Sequence, residues 1–282
     1  PFNFPVEYSG KYNPAALPLP TGSPEDDRWI PAIFKDLTEE ERRGIVSAYY
    51  SSVEYLDKNV GLILDRLDAL GLRENTLVVY IGDHGYLLND HKRFEKHMMW
   101  EPAVRAPLLI RAGSRYGEGR VAEAMTEFVD LAPTFMDVLG IPQMPGVQGK
   151  SLLPLLTGET PLHKEHIFSE FLADNKAMVR THSWKYIFTT GQHDLQQGYA
   201  TGNPPPGSTH RLYDLENDPD ETTDVSAKPE NAQVMAELQA ALIEWFRDTH
   251  PGAAAVPETL SVEAQLIAFC EPPDAGANLE AK

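Results

Sequence analysis

Hydrophobic residues recur along residues 38–71 with the spacing of one helix face. Thr38 and Glu41 can form a capping box at the start of this stretch, and Gly71 is a typical helix end. Between them the apolar positions follow steps of three or four residues: Ile45, Tyr49, Val53, Leu56, Val60, Ile63, Leu67 and Leu70. The pattern predicts one long amphipathic helix.

Two short apolar runs follow this helix, at residues 76–81 and 106–110, with a polar segment between them. Continuous apolar runs are typical of strands buried on both faces of a parallel sheet. A helix that leads into such a strand indicates an α/β architecture. A second helix is predicted to begin with Asp130 as its cap and to end at Gly140.

The pattern changes beyond residue 150. Short β-like runs at 167–171, 177–180 and 185–190 precede a Gly- and Pro-rich stretch over 191–209, which predicts a long loop, and an amphipathic helix over 232–246. We expect an α/β fold with a mixed, mainly parallel sheet flanked by helices in residues 1–150. A smaller antiparallel sheet with a helix is expected in 151–250, and a tail in 251–282. Residues 1–37 are predicted to form an extended surface segment or loop and not a helix.

Charge and cysteine content limit the classes of partner. The 282 residues carry a net charge of −18, which repels nucleic acid and anionic membranes. A local basic cluster can still attract an anionic substrate, because salt screens charges beyond about 10 Å. No apolar run approaches the roughly 20 residues that span a bilayer. The single cysteine, Cys270, cannot form an internal disulfide.

Asp83 and His84 directly follow the first predicted strand and are flanked by Gly82 and Gly85. Ligands of open α/β sheets bind at the carboxyl ends of strands, and a carboxylate with an imidazole can hold one metal ion. The alternative interpretation is a strand-ending turn with both side chains on the surface.

The densest basic stretch of this acidic chain spans residues 91–97 and includes Lys96 and His97. A lysine ammonium beside a metal could neutralise an anionic ester and stabilise charge that develops on its leaving oxygen. The alternative is a solvated run of charges on a loop.

Taken together, the two clusters resemble the second signature region of type I sulfatases, which belong to the alkaline-phosphatase-like superfamily. The matching positions are Asp83-His84-Gly85, Asp90-His91, Glu95-Lys96-His97, Trp100-Glu101 and Arg105-Ala106-Pro107. Glu95 stands where Gly is usual, and Trp100 stands where Tyr is usual. The similarity extends to four further stretches, at 49–57, 130–134, 149–152 and 212–221.

The resemblance implies specific roles. Asp83 and His84 would be ligands of a divalent metal, which is Ca²⁺ in most sulfatases. Lys96 would contact the sulfate group or the bridging ester oxygen, and His97 would line the pocket. Two further residues are expected to hold the loop in place through ion pairs or backbone contacts: Glu101 and Arg105.

The nucleophile of the family lies in a Cys- or Ser-x-Pro-x-Arg motif, whose Cys or Ser is oxidised to formylglycine. Cys270 is followed by Glu-Pro-Pro-Asp and lacks the Arg, so it is not expected to be that nucleophile. The family also has Lys-Pro-His before a Pro-Phe pair, and this chain opens at Pro1-Phe2. We therefore expect a missing N-terminal segment or a second chain to complete the site, and this chain alone to be inactive.

Three functions remain open at this point. The first is hydrolysis of a sulfated small molecule or carbohydrate. The second is phosphoester or phosphonate hydrolysis in the same superfamily, with Mn²⁺ or Zn²⁺ in place of Ca²⁺. The third is a binding module without catalysis. The residues leave the compartment undetermined, and the family resemblance favours periplasmic location or secretion.

Overall fold

A computed structural model of the chain describes residues 3–28, 30–116, 119–171, 175–190 and 208–271. These residues form two compact units. The first unit contains residues 3–98 and 102–116, and the second contains residues 99–101 and the described residues from 119 onward. The predicted division at residues 150 and 250 stays a prediction.

The regular elements between residues 30 and 116 are α1 (Ala32–Lys35), α2 (Glu39–Ala69), β1 (Leu77–Ile81), α3 (Glu101–Val104) and β2 (Leu108–Ala112). Short 3₁₀ turns lie at Val6–Tyr8, Pro14–Ala16, Glu25–Arg28, Arg73–Asn75 and Asp90–Lys92. The described part of the chain contains no helix that is both long and apolar enough to cross a membrane.

The long helix predicted from the apolar pattern is α2, and its capping box is present. The backbone N–H of Glu41 donates to Thr38 Oγ1 at 3.2 Å, and that of Thr38 donates to Glu41 Oε2 at 2.8 Å. Val46 and Ser47 are buried near the start of the helix. Further along, four residues of the predicted apolar face are 46–69% exposed, and we call them the apolar stripe: Val53, Leu56, Ile63 and Leu70.

Strands β1 and β2 pair with each other in antiparallel register, with Val79 opposite Ile110. We expected both strands to belong to a mixed, mainly parallel sheet, and their pairing with each other is antiparallel. An apolar run indicates that a strand is buried, but it does not show whether the neighbouring strand runs parallel or antiparallel to it. Here the connection after β1 brings the chain back beside the same strand, and most of the side chains of β1 are only half-buried.

The N-terminal segment contributes to the core of the first unit, which corrects the expectation of an extended surface segment. Ile30 and Phe34 are buried with Val46 of α2 and with Phe94. The rings of Phe34 and Phe94 meet edge to face with their centroids 6.0 Å apart. Burial of these apolar side chains is favourable enough to hold the segment against the core, although its sequence is rich in turn-forming residues.

The second unit contains α4 (Leu131–Leu139), α5 (Leu153–Thr157), β3 (Ile167–Phe171), β4 (Lys176–Arg180), β5 (Trp184–Thr189), β6 (Thr209–Asp214), α6 (Ala232–Thr249) and α7 (Val262–Cys270). Further 3₁₀ turns lie at Phe128–Asp130, Pro229–Asn231 and Ala253–Ala255. The four strands form an antiparallel sheet in the order β3-β4-β5-β6. This sheet and its helix confirm the expectation for the C-terminal part. The loop predicted over 191–209 lies outside the described residues up to position 207.

Helices α6 and α7 cover one face of this sheet. Side chains at alternate positions of β4 and β5, such as Val179 and Phe188, are buried with Leu242 of α6. Phe246 of α6 stacks on Phe269 of α7 at 5.0 Å between centroids. Helix α7 was not predicted, because its nearly uniform apolar sequence has no helical period. Cys270 ends it as a buried thiol whose pKa burial raises to about 12.

Asp130 precedes α4 but does not cap it as predicted. Its carboxylate accepts from the backbone N–H groups of Glu127 at 2.9 Å and Lys150 at 2.8 Å. The ammonium of Lys164 lies 2.7 Å from the same carboxylate. Burial alone would raise the pKa of Asp130, but these hydrogen bonds and the Lys164 charge outweigh it and lower the pKa. Asp130 therefore fixes loops rather than the helix end.

Lys185 of β5 is fully buried on the sheet face opposite Tyr186. Its ammonium lies 2.8 Å from Glu221 and 3.0 Å from Glu101, and Arg180 also reaches Glu101 at 3.2 Å. The backbone N–H of Glu101 donates to Glu221. A buried cation thus joins two carboxylates that come from distant parts of the sequence.

Replacing Lys185 with Met should lower the free energy of unfolding by about 3–5 kcal/mol, because it leaves buried carboxylates without their cation. Urea denaturation followed by circular dichroism measures this loss. Lys228→Met removes an exposed lysine from the same unit and should change stability by less than about 0.5 kcal/mol. Equal stability of the two variants would contradict a structural role for the buried ion pairs.

Candidate active site

The segment after β1 turns sharply and returns to the chain before β2. Gly82 N donates to Pro107 O at 3.2 Å, and Gly85 N donates to Ala103 O at 2.8 Å. A Cβ on Gly85 would collide with the carbonyl oxygen of Pro102. Only glycine allows this close approach of two backbones. The turn holds Asp83 and His84 at the carboxyl end of β1.

Asp83 and His84 lie side by side. Asp83 Oδ2 is 3.3 Å from His84 Nε2, and the side chains are 86% and 33% exposed. Nδ1 of His84 lies 2.6 Å from the carbonyl oxygen of Gly85. Since a carbonyl only accepts, Nδ1 carries the hydrogen and Nε2 of the neutral ring keeps a lone pair.

This pair fits two ligands of one divalent ion. Metal–ligand bonds of about 2.0–2.6 Å place neighbouring ligand atoms about 3 Å apart. A carboxylate oxygen with an imidazole nitrogen suits Mn²⁺ or Zn²⁺ as well as Ca²⁺. Within the described residues, no group of three His, Cys, Asp or Glu side chains forms a complete metal site. Asp83 and His84 therefore fit two positions of a coordination shell, and their role as metal ligands stays a prediction.

Lys96 reaches this pair from a hairpin. Leu87 N donates to Glu95 O at 2.8 Å, and Asn89 N donates to Arg93 O at 2.9 Å. This pairing brings the chain back toward the turn after β1. The ammonium of Lys96 then lies 2.7 Å from His84 Nε2. Three predicted site residues, Asp83, His84 and Lys96, are thus in one place.

The tip of this hairpin has an unusual backbone. Asn89, His91 and Lys92 all have positive φ, at 78°, 49° and 59°. Such conformations cost free energy for residues other than glycine and persist where the surroundings enforce them. Here the Asn89 side chain donates to Pro20 O at 2.8 Å and accepts from Arg42 of α2 at 2.8 Å.

A buried pair fixes the same tip. His91 Nδ1 lies 2.9 Å from Asp26 Oδ1, and both side chains are at most 5% exposed. Asp26 also accepts from the backbone N–H of Ser23 at 2.6 Å. Burial alone would raise the pKa of Asp26, but the hydrogen bond and charge of His91 and the Ser23 bonds outweigh it and lower the pKa.

Glu95, which replaces the usual Gly of the signature, is buried beside Arg93 and His97. Its carboxylate pairs with Arg93 Nε, and its Oε2 lies 3.6 Å from His97 Nδ1. The His97 side chain remains 34% exposed, next to Lys96 in the sequence. This carboxylate therefore lies beside the His97 ring. Its role at the site stays a prediction.

Sequence reasoning placed the exposed residues of the site but missed most of its supporting residues. Asp26, Arg42 and Asn89 are separated by many positions, and no spacing marks them as partners. The expected ion pairing of Glu101 is present, and its partners Lys185 and Arg180 belong to the second unit.

Family comparisons agree with these motifs. A family model described as N-sulphoglucosamine sulphohydrolase, C-terminal, matches residues 89–248, which is more than half of the chain. The model described as Sulfatase matches residues 19–141. The chain therefore belongs to the sulfatase family, which confirms the resemblance read from its residues.

Individual relatives are sulfatases. The chain is 35% identical over 203 residues to arylsulfatase K of Bos taurus, covering 68% of this chain and 35% of that protein. It is 30% identical over 216 residues to an N-acetylglucosamine-6-O-sulfatase of Bacteroides thetaiotaomicron, covering 72% of this chain and 36% of that protein. The chain thus spans about a third of the length of these curated relatives.

Solved structures share the fold. One, determined in complex with its substrate D-glucosamine-2-N,6-O-disulfate, matches with a TM-score of 0.64 and 28% identity over 74% of this chain and 42% of that chain. Phosphonate monoester hydrolase from Silicibacter pomeroyi matches with a TM-score of 0.73 and 25% identity, over 89% and 54%. These neighbours confirm the predicted alkaline-phosphatase-like α/β fold.

Asp26→Ala should destabilise the protein by about 2–3 kcal/mol at neutral pH, because buried His91 loses its charged hydrogen-bond partner. Asp27→Ala is the matched control: Asp27 is 60% exposed and pairs with Lys92, so its loss should cost less than about 1 kcal/mol. Urea denaturation measures both values.

The cost of Asp26→Ala should also depend on pH. The folded-state pKa of Asp26 is lowered from 3.8, so its stabilisation is present above that pH and is lost as the pH falls through the folded pKa. The difference between wild type and variant should therefore shrink in strong acid. A constant difference across this range would contradict the lowered pKa.

Proposed function

We propose that this chain forms the metal- and sulfate-binding part of a sulfuric ester hydrolase. The proposal rests above all on Asp83, His84 and Lys96 lying together in a chain of the sulfatase family. Two metal ligands and an ammonium suit an ester that carries a charged sulfate group.

Each residue has a distinct part in this proposal. Asp83 and His84 would hold a divalent ion, Ca²⁺ first and Mn²⁺ or Zn²⁺ as alternatives. The ion, when bound, would polarise the sulfate oxygens. Lys96 would donate to a sulfate oxygen or the bridging ester oxygen and stabilise its negative charge. His97, which lies beside Glu95, would line the same pocket.

The sulfated group is proposed to belong to an amino sugar or a related small molecule. The relatives support this class, since one is a sulfatase of N-acetylglucosamine and one neighbour was solved with a disulfated glucosamine. The likeness to a phosphonate monoester hydrolase favours a phosphonate monoester as the second candidate substrate.

We propose that the formylglycine nucleophile comes from a segment or chain outside these 282 residues, and that this chain has no turnover without it. Covalent catalysis needs that nucleophile, which two metal ligands and a lysine do not replace. The apolar stripe on α2, whose four residues are 46–69% exposed, supports a covering segment. Contiguous exposed apolar surface is typical of interaction sites.

Asp83→Asn should weaken binding of Mn²⁺ or Ca²⁺ at least about tenfold, because it removes an anionic ligand. His84→Gln should weaken binding of Mn²⁺ more than that of Ca²⁺, which prefers oxygen. Asp57→Asn, on the exposed surface of α2, makes the same charge change and should leave affinity unchanged. Calorimetric titration measures all three. Equal affinities would overturn the assignment of Asp83 and His84.

Denaturing mass analysis with peptide mapping, on protein isolated from its source, tests the nucleophile proposal. A Cys- or Ser-x-Pro-x-Arg peptide carrying formylglycine is expected in the same assembly. That assembly should cleave sulfate esters in preference to phosphonate monoesters, and the 31.4 kDa chain alone should cleave neither. Turnover by the homogeneous 31.4 kDa chain would contradict the proposal, and preference for phosphonates would select the second substrate class.

A further inference from the structure

The neutral His84 ring has one nitrogen lone pair, and the Lys96 ammonium donates a hydrogen bond to it. Nδ1 of His84 donates to the carbonyl oxygen of Gly85, so the lone pair of the neutral ring is on Nε2. The ammonium of Lys96 has donors only, and its nitrogen lies 2.7 Å from Nε2. Lys96 therefore donates a hydrogen bond to the atom that would bind a metal.

We propose that Lys96 and a divalent cation compete for Nε2 of His84, so that cation binding releases the Lys96 ammonium to an anionic ligand. The inference rests on the proposed function of Asp83 and His84 as metal ligands. It adds an order of binding: the cation binds first, and Lys96 then contacts the anion.

The physical reason is that one lone pair accepts one electrophile at a time. A metal ion on Nε2 excludes the ammonium from it and also repels a positive charge nearby. Lys96 is exposed, and its long flexible side chain can leave Nε2 at little cost. The hydrogen bonds from Leu87 N to Glu95 O and from Asn89 N to Arg93 O hold the backbone beside the turn. The released ammonium therefore stays within reach of an anion held by the bound cation.

The arrangement couples two ligands through one lysine. A cation that releases the ammonium raises the affinity for an anion such as sulfate, and by linkage the anion raises the affinity for the cation. Without Lys96 both the competition and this lysine-dependent coupling disappear.

Binding of Mn²⁺, followed by the paramagnetic resonance signal of the free ion, tests the competition. Lys96→Met should bind Mn²⁺ about threefold to tenfold more tightly than wild type. Lys58→Met, an exposed lysine on α2, makes the same charge change and should leave the affinity unchanged. The gain in Lys96→Met should persist at high ionic strength, where a long-range charge effect is screened.

A second measurement detects the hydrogen bond itself. In ¹⁵N spectra of the histidine rings, the Nε2 signal of His84 should move in Lys96→Met toward that of an imidazole nitrogen without a hydrogen bond. In titrations with inorganic sulfate, Mn²⁺ should raise sulfate affinity more in wild type than in Lys96→Met.

The outcomes separate this inference from the proposed metal site. Absence of Mn²⁺ binding in both wild type and Lys96→Met would overturn the metal site and, with it, the competition. Mn²⁺ binding that requires Asp83 and His84 but is equal in wild type and Lys96→Met would overturn the competition alone. An unchanged Nε2 signal in Lys96→Met would also overturn it.

Discussion

The hydrogen bond between buried Asp26 and His91 constrains the hairpin on which the candidate site depends. His91 has a left-handed backbone, which a non-glycine residue adopts only where its surroundings offset the cost. The carboxylate of Asp26 provides that compensation, and Asn89 adds hydrogen bonds at the same tip. With the tip fixed, the two hydrogen-bonded backbone segments on either side of it bring Lys96 to His84.

In the second unit, too, buried ionic contacts fix the positions of segments that are distant in sequence. Lys185 is enclosed with Glu221 and Glu101, and Asp130 joins backbone groups from separate loops. Burying charge has a large desolvation cost, so such groups contribute more to a defined geometry than to net stability. Each unit therefore relies on a few long-range charged contacts to hold segments that lack regular secondary structure.

The candidate site combines a buried support with an exposed reactive surface. Asp26, His91 and Glu95 are almost fully buried, while Asp83 and Lys96 face solvent. A rigid support limits the entropy lost when a ligand binds, and the solvent-facing side chains are accessible to it. The lysine also gives a local positive charge in a chain with a net charge of −18. An anionic group at this point would meet this local charge at short range, where salt screens the overall field of the chain.

The sequence by itself determined the elements whose signals are local. The capping box and apolar steps of α2 predicted that helix, and the motif residues from Asp83 to Arg105 indicated the sulfatase family. Both signals succeed because helix geometry and a compact site loop impose fixed spacings on nearby residues. The family motif also predicts that the side chains of Asp83, His84 and Lys96 lie close together, as they do in the structure.

Only the tertiary structure decided which distant residues meet. The antiparallel pairing of β1 with β2, the contact of Asp26 with His91, and the burial of Lys185 between two carboxylates all join segments far apart in sequence. Their energies come from burial and from charge at short range, and neither leaves a periodic trace along the chain. Helix α7 was not predicted either, because its short sequence has little helical periodicity, and its place in the fold comes from burial of Leu266 and Phe269 in the core.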